Sequence, residues 1–582
     1  MPLSGPRAVL AATLLAAAGC GSLPGAVGRT PPPGLAACRV AGLEETAWCG
    51  TVRVPEDRAA PSGRRIALRV VVLPARSPRP EPDPVFFLSG GPGQAATGGA
   101  AALARELAGV RAARDLVLVD QRGTGGPDRL SCPLGSPARS LRAWTTGEFP
   151  ADRLAACLRE WRADPRLYTT ERAVEDLDQV RAELGYGRVN LVGASYGTRP
   201  ALAYLRRFPD RVRTVVLRGV YPAFAPLPLH VSADAQAALD RLAAGAPGLR
   251  RDVERALARA DSAPVRLPLE AEDGGAPDTL LVTRGVLAGA LLFALYSAEQ
   301  ARAIPDAARA AAAGDPRPWV ELAAGGTMLP VLESLSPGVF LSVVCAEDLP
   351  QVDSAAMARA AAGTFLGDVL YRNFARACAG WPRGAPPAGH ADPVRSDAPV
   401  LVISGDADPV TPPRWGERVL ATLSRGAHLV LPGTGHVPSF PPCARRAAAE
   451  LVARGSAEGL DLSCARDAET ATAGADTLPV AADSTGPPAD VAGRWALFWR
   501  TDEGPRESGW IELRQAGDSV GATLHGQGSL EAAGTVRGRL LVVSGRRMMA
   551  RFEIRAAVQG DTLHGELRVL ALRRPFTAVR RR

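Results

Sequence analysis

The sequence predicts an α/β domain, a mostly parallel sheet wrapped by helices on both faces, followed by a separate all-β domain. Three observations carry this. Short apolar runs alternate with amphipathic helical stretches between residues 85 and 220. The alternation stops over residues 222–396, which are Ala-rich and mainly helical, and resumes with apolar runs at 399–404 and 427–431. Residues 491–582 change character: RWALFWR, GWIELRQ, RLLVVSG and DTLHGELRV are separated by Gly-Asp turns, which suits an antiparallel sandwich or small barrel.

In chain order, the first twenty residues carry Arg7, an apolar run over 8–18 and then Gly19-Cys20. That run is too short to cross a bilayer as a mature helix and reads as an export signal. Ala17-Ala18-Gly19-Cys20 resembles a lipoprotein box, so Cys20 is the candidate site of lipid attachment and of contact with a membrane. Residues 21–37, rich in Gly and Pro, are expected to form a tether. The first part of the sheet domain spans 38–221, with strands expected at 51–54, 65–73, 85–88, 116–119, 188–192 and 215–217. Helices are expected at 170–184 and 198–208. Residues 222–396 are expected to form a helical lid over the active site. The second part of the sheet domain covers 397–465 and closes with a helix over 443–454. Residues 466–490 have linker composition, and 491–582 form the β-rich domain.

With 582 residues, 46% hydrophobic and 22% charged, the chain can bury a large core and holds two or three domains. All 68 basic residues behind the net charge of +8 are arginines. The absence of lysine excludes a P-loop lysine, a pyridoxal Schiff base and a Ser-Lys dyad. No basic patch interleaved with aromatics points to nucleic acid. Setting Cys20 aside leaves eight cysteines, an even number in an exported chain, so disulfides are expected. The expected pairing is sequential, closing short or moderate loops: Cys38–Cys49, Cys132–Cys157, Cys345–Cys378 and Cys443–Cys464. No C-x-x-C or H-E-x-x-H spacing supports a metal site, and no cofactor is expected.

The chemistry centres on Gly193-Ala194-Ser195-Tyr196-Gly197, a G-x-S-x-G between a buried strand and a helix. There a turn too tight for side chains at the flanking positions holds the serine hydroxyl above the sheet, at the positive end of the helix. A second copy, Gly517-Asp518-Ser519-Val520-Gly521, lies between two strand patterns and reads as a hairpin, so Ser519 is a decoy. A serine that attacks carbonyls needs a base and a carboxylate to orient it. Of the histidines that follow, His230 and His390 fall in the lid, where a solvated role is expected, and His428 begins a strand among apolar neighbours. His436 sits in the Gly-rich loop Pro432-Gly433-Thr434-Gly435-His436 just after a strand and is the candidate base. The acid should leave the end of the preceding strand, where spacing leaves Asp406 and Asp408 open. For the oxyanion, the candidate donors are the backbone amide of Tyr196 and that of Gly91 in Ser89-Gly90-Gly91-Pro92-Gly93.

Together these residues resemble the α/β-hydrolase superfamily, and more narrowly the secreted proline iminopeptidase and tripeptidyl aminopeptidase group of serine peptidases. The resemblance rests on Gly90-Gly91-Pro92-Gly93, Asp120-Gln121-Arg122-Gly123-Thr124-Gly125, the Ser195 motif, Asp408-Pro409-Val410-Thr411-Pro412 and Gly433-Thr434-Gly435-His436. It implies an α/β-hydrolase fold with a helical lid, Asp408 as the acid and a Ser195–His436–Asp408 triad. The stretches around Cys345 and Cys378 also look like features of the group and support their pairing. An exopeptidase must bind a free α-amine, for which Glu347 is the candidate. Ser89 stands where prolyl-specific members usually carry histidine, which argues against proline specificity. The function implied is an aminopeptidase-type hydrolase of peptides. The alternatives are an esterase or amidase for small acyl substrates, and an inactive lipid-anchored binding protein.

Overall fold

The computed structural model describes residues 29–269, 278–324, 334–436, 441–465, 484–501, 504–525, 529–547, 550–569 and 572–581. The export signal with Cys20, and most of the expected linker, lie outside the described residues.

Nine strands form the main sheet: β1 (Leu35–Cys38), β2 (Ala47–Pro55), β3 (Arg65–Leu73), β4 (Val85–Leu88), β5 (Leu116–Val119), β6 (Val189–Ala194), β7 (Val212–Arg218), β10 (Val400–Gly405) and β11 (Gly426–Leu431). Between β7 and β10 a two-stranded hairpin, β8 (Val265–Leu269) with β9 (Asp278–Val282), belongs to the insertion. The order across the main sheet is β1-β2-β3-β5-β4-β6-β7-β10-β11. Strands β1, β2 and β3 pair antiparallel, β3 pairs antiparallel with β5, and every pairing from β5 to β11 is parallel. Strands β4, β5, β6 and β10 are buried along their whole length, as expected where helices cover both faces. Two apolar clusters flank the sheet, one around Leu177, Leu191 and Val402 and the other around Leu103, Leu118 and Leu451. The one polar side chain in the middle of β6, Asn190, is satisfied: its amide donates to the Asp83 carbonyl at 2.8 Å and its carbonyl accepts from Thr214 Oγ1 at 2.6 Å.

Strand β1 departs from expectation, because all of it but Cys38 lies inside the stretch read as a tether. It is held by its ladder with β2 and by the Cys38–Cys49 disulfide, and just upstream Arg29 pairs with Asp115 at 2.8 Å. The disulfides Cys132–Cys157 and Cys345–Cys378 are present as well. Cys443 is disulfide-bonded, while the side chain of Cys464, its expected partner, is outside the described set.

The insertion after β7 is mainly helical, with Leu227–Ala244, Leu249–Ser262 and Arg284–Leu295 among its helices. Its core also takes in Cys132, Leu141, Phe149, Leu154 and Cys157 from the segment between β5 and β6. The cap is therefore made from two stretches of chain, and the helices Pro137–Thr146 and Ala151–Glu160 belong to it by packing.

The C-terminal strands β12 (Gly493–Thr501), β13 (Gly504–Ala516), β14 (Ser519–His525), β15 (Ser529–Arg537), β16 (Leu540–Arg547), β17 (Ala550–Gln559), β18 (Thr562–Val569) and β19 (Leu572–Arg581) form a closed antiparallel barrel, in which β19 returns to pair with β12. Alternate residues such as Ile511, Leu513, Val520, Ala522, Ile554 and Ala556 form its core, the period of two expected of strands. Trp495 is fully buried, donates Nε1–H to the Val491 carbonyl at 2.9 Å and lies 4.6 Å beneath the Arg580 guanidinium. Gly517 and Asp518 form the turn between β13 and β14, so Ser519 opens a strand, as a hairpin requires.

Candidate active site

Strand β6 runs directly into a turn at Ser195–Gly197 and then into the helix Thr198–Arg207. Ser195 has φ 55°, the only left-handed non-glycine residue among the described residues. Such a conformation costs about 1–3 kcal/mol and persists only where its surroundings enforce it. The enforcement is visible on both sides. A Cβ at Gly193 would stand 2.6 Å from the Gly197 carbonyl oxygen, and one at Gly197 would stand 2.0 Å from that of Leu88. The Thr198 hydroxyl pins the turn by donating to the Ser195 carbonyl at 2.7 Å while accepting the Tyr221 amide at 2.9 Å.

Asp408 lies three residues beyond β10 and is fully buried. Its Oδ1 accepts the amides of Val410 (2.9 Å) and Thr411 (2.8 Å), and its Oδ2 accepts the Thr411 hydroxyl (2.5 Å) and Nδ1–H of His436 (2.8 Å). Burial by itself would raise this carboxyl. The His436 imidazole and the donors from Thr411 outweigh burial and hold it below the ordinary carboxylate range. Among the described residues no hydrogen bond or ion pair joins Asp406 to His436; the Asp406 backbone amide bonds to the Leu431 carbonyl. Asp408 followed by proline, with amides two and three residues on, is an Asx turn, a local signal that separates the two acids without reference to fold.

His436 is fixed from the insertion as well. Its backbone amide donates to the Tyr296 carbonyl at 2.9 Å, and the two rings meet edge to face at 4.8 Å. Ser195 lines a cavity together with Gly91, Tyr296 and Thr411, so two of the residues that touch His436, Tyr296 and Thr411, border the cavity in front of the serine. Among the described residues no hydrogen bond joins the Ser195 hydroxyl to His436. Such bonds are often long without substrate and tighten in the reacting complex.

The Ser89–Gly93 loop follows β4. Gly91 has φ 110° and Gly93 φ 101°, and a Cβ on Gly93 would meet the Ser336 carbonyl at 2.8 Å. Ser336 comes from the insertion and clamps the loop, its amide donating to the Gly93 carbonyl at 2.9 Å and its hydroxyl to that of Gly123 at 2.8 Å. Gly90 packs against the serine, since a Cβ there would stand 3.2 Å from that of Ser195.

Comparison with known families agrees with the fold of the sheet domain. Residues 83–264 match the family model described as alpha/beta hydrolase fold, and residues 363–464 match that described as TAP-like protein. The sheet domain has the α/β-hydrolase fold. Similar proteins include the tripeptidyl aminopeptidase of Streptomyces lividans, 32% identical over 195 residues, which are 31% of this chain and 36% of that protein. The serine protease Hip1 of Mycobacterium tuberculosis is 28% identical over 236 residues, 36% of this chain and 45% of that one. A carboxylesterase B of the same organism is 32% identical over 201 residues, 34% of this chain and 35% of that one. The chain thus spans less than half the length of the curated relatives it matches. Among solved structures, the proline iminopeptidase of Mycobacterium smegmatis covers 70% of this chain and 98% of its own at 17% identity, with a TM-score of 0.35.

Glu347 and His230 fall where the sequence did not put them, whereas His428 falls in its strand as expected. Glu347, the expected amine ligand, does not line the Ser195 cavity. It is 3% exposed; Oε1 accepts the Thr170 amide at 2.6 Å, Oε2 accepts the Thr170 hydroxyl at 2.7 Å, and Arg199 lies 3.4 Å away. Neighbouring Asp348 pairs with Arg199 at 2.8 Å, and that guanidinium covers the Tyr221 ring at 4.2 Å. These contacts fasten Glu347 and Asp348 of the insertion to Thr170 and to the helix that follows Ser195. Arg122 of the Asp120–Gly125 stretch is also structural, its guanidinium bound by both oxygens of buried Asp176 at 2.7 and 2.8 Å. His230, expected at a solvated surface, instead lines the Ser195 cavity 4.7 Å from the Trp415 ring. His428 packs in the sheet, with Nε2 3.0 Å from Ser404 Oγ.

Proposed function

We propose that the protein is an exported serine hydrolase that removes residues from the N-termini of peptides through a Ser195–His436–Asp408 triad. The observation that carries this is the pair formed by Asp408 and His436. The carboxylate has every acceptor position filled and one of its donors is Nδ1–H of the imidazole, which leaves Nε2 free to act as base. In this reading the Ser195 hydroxyl attacks the carbonyl carbon and its proton passes to Nε2. The oxyanion takes hydrogen bonds from the amides of Tyr196 and Gly91. The C–N bond then breaks as the leaving amine takes the proton from the imidazolium, and water, deprotonated by the same nitrogen, releases the acyl group. Asp408 stays ionised throughout, in keeping with its depressed pKa.

The choice of peptides follows the names of the peptidase relatives, and the free N-terminus follows the tripeptidyl aminopeptidase among them. Glu347 is left out of the amine subsite because it does not line the Ser195 cavity and its carboxylate instead bonds Thr170 and faces Arg199. The disulfides support export to an oxidising compartment. Attachment to the envelope through Cys20 rests on the sequence alone, and a mature N-terminus beyond Cys20 in a mass spectrum would contradict it. Among the described residues no helix is long and apolar enough to cross a membrane.

Peptidyl naphthylamides with free and with acetylated N-termini test the proposal. Cleavage of the free-amine substrates at least tenfold faster, lost in Ser195→Ala, is expected. Equal rates on both would contradict the aminopeptidase reading. Turnover confined to p-nitrophenyl esters would favour the esterase alternative, which the carboxylesterase relative supports. An inactive binding protein would turn over none of them.

A further inference from the structure

The cavity in front of Ser195 has a volume of about 50 Å³ and is bounded at its chemical end by Ser195 and Gly91. Its walls are Tyr221, Leu227, Val231, Tyr296, Val410 and Trp415, with His230 beside the last. Resting on the hydrolase reading, we infer that this cavity is the acyl-side specificity pocket, that it takes a small uncharged aliphatic side chain, and that Trp415, held by Asp234, is the wall that sets the limit.

Size is the first argument. A cavity of about 150 Å³ takes up a benzene ring. The space at Ser195 is about a third of that, which favours a side chain the size of Ala or Val over that of Phe. Charge is the second. His230 is kept neutral, burial and then the nearby guanidinium groups of Arg414 and Arg418 pushing its pKa down to about 4. The Asp234 carboxylate is turned away from the space, Oδ2 accepting Nε1–H of Trp415 at 3.0 Å and Oδ1 pairing with Arg414 at 2.6 Å. No wall offers an ionised partner, so a charged side chain would enter without compensation.

Rigidity is the third argument, because a pocket selects by size only if its wall stays in place. Trp415 is 3% exposed and is held by four contacts: the Asp234 hydrogen bond, the His230 ring and the guanidinium groups of Arg414 and Arg418 at 4.6 and 5.2 Å. Asp234 and His230 both come from the helix Leu227–Ala244, so the insertion sets the far wall of the pocket. The assignment to the acyl side follows from the order of events. The leaving amine must depart while the acyl carbon is still bonded to Ser195, and a recess adjoining both Ser195 and Gly91 suits the part that stays.

The test uses the full-length enzyme and substrates of one leaving group, naphthylamides with Ala, Val, Leu or Phe at the acyl position. For the wild type, kcat/KM is expected to fall at least tenfold from Ala to Phe. Trp415→Ala is expected to raise the Phe-to-Ala ratio at least tenfold, and Leu227→Ala, on the half-buried side of the pocket, to raise it in the same direction by a smaller factor. Asp234→Asn, which keeps an acceptor for the Trp415 Nε1–H, is expected to change the ratio less than Trp415→Ala. Fluorophosphonate labelling of each variant reports folding and the nucleophile independently of acyl size. Labelling with a wild-type preference for Phe, or with ratios unmoved in both labelled wall variants, overturns the pocket while leaving the hydrolase reading standing. Absence of labelling in the wild type overturns the hydrolase reading itself, and the pocket with it.

Discussion

Glu347 carries the sharpest choice at the scale of single residues. A buried carboxylate that accepts two hydrogen bonds from one threonine and faces an arginine contributes to stability, and its loss is felt in folding first. Glu347→Gln is expected to cost about 1–3 kcal/mol in a urea unfolding experiment, with KM for free-amine peptides within twofold of the wild type. A several-fold rise in KM at unchanged stability would return Glu347 to the amine subsite. Asp234 gives a pH signature. Burial, against the counteracting Trp415 and Arg414, raises its pKa from 3.8 to about 6 in the folded protein. Protonated Asp234 therefore favours the fold. That contribution is complete below pH about 4 and is lost as the pH rises to about 6, a loss of about 2–3 kcal/mol at 1.36 kcal/mol per pK unit. Asp234→Asn removes the titration, so its melting temperature relative to the wild type should rise between pH 4 and pH 7. A difference that stays flat over this range would contradict the assignment.

Among the elements, the turn after β6 is the most constrained. A Cβ at Gly197 would lie 2.0 Å from a backbone oxygen of β4, which no rotamer change relieves. Gly197→Ala is expected to destabilise by more than about 3 kcal/mol, or to prevent accumulation of folded protein, as measured by urea unfolding and soluble yield. Folded protein of wild-type stability would mean that the strand and helix do not meet as described. In the insertion, Cys345–Cys378 closes a loop with a sequence separation of 33. By the chain-entropy relation, replacing both cysteines with serine should cost about 3–4 kcal/mol. The same elements explain what the sequence disclosed. Strands β4 and β5 are unbroken apolar runs, VFFL and LVLV, because both faces are covered, and their limits were legible to the residue. Strand β1 was not, because Leu-Ala-Ala-Cys has no alternation and gains its place only from β2 and the disulfide. The helices Pro137–Thr146 and Ala151–Glu160 have clear apolar faces, yet an apolar face does not say which core it joins, and theirs is that of the cap.

At the scale of the whole molecule, the site is an assembly of distant segments fastened by buried polar pairs. Glu347 reaches Thr170 across 177 residues and Arg199 across 148, and these partners were invisible to spacing. His230 was misplaced for the same reason, since only the folded insertion brings it to the cavity. The turn at Ser195 was legible because G-x-S-x-G between a strand and a helix is a local pattern, and the loop carrying His436 because a Gly-rich stretch after a late strand is another. Spacing left Asp406 and Asp408 open and only the resemblance chose Asp408, which the structure holds in an Asx turn and hydrogen-bonds to His436. What remains global is the convergence of Ser195, Asp408 and His436, and intact-protein mass spectrometry after treatment with a fluorophosphonate tests it most directly. A single adduct on the peptide carrying Ser195 is expected, absent in Ser195→Ala and at least a hundredfold slower to form in His436→Ala. An unlabelled wild type, or labelling at the same rate without His436, would contradict the account.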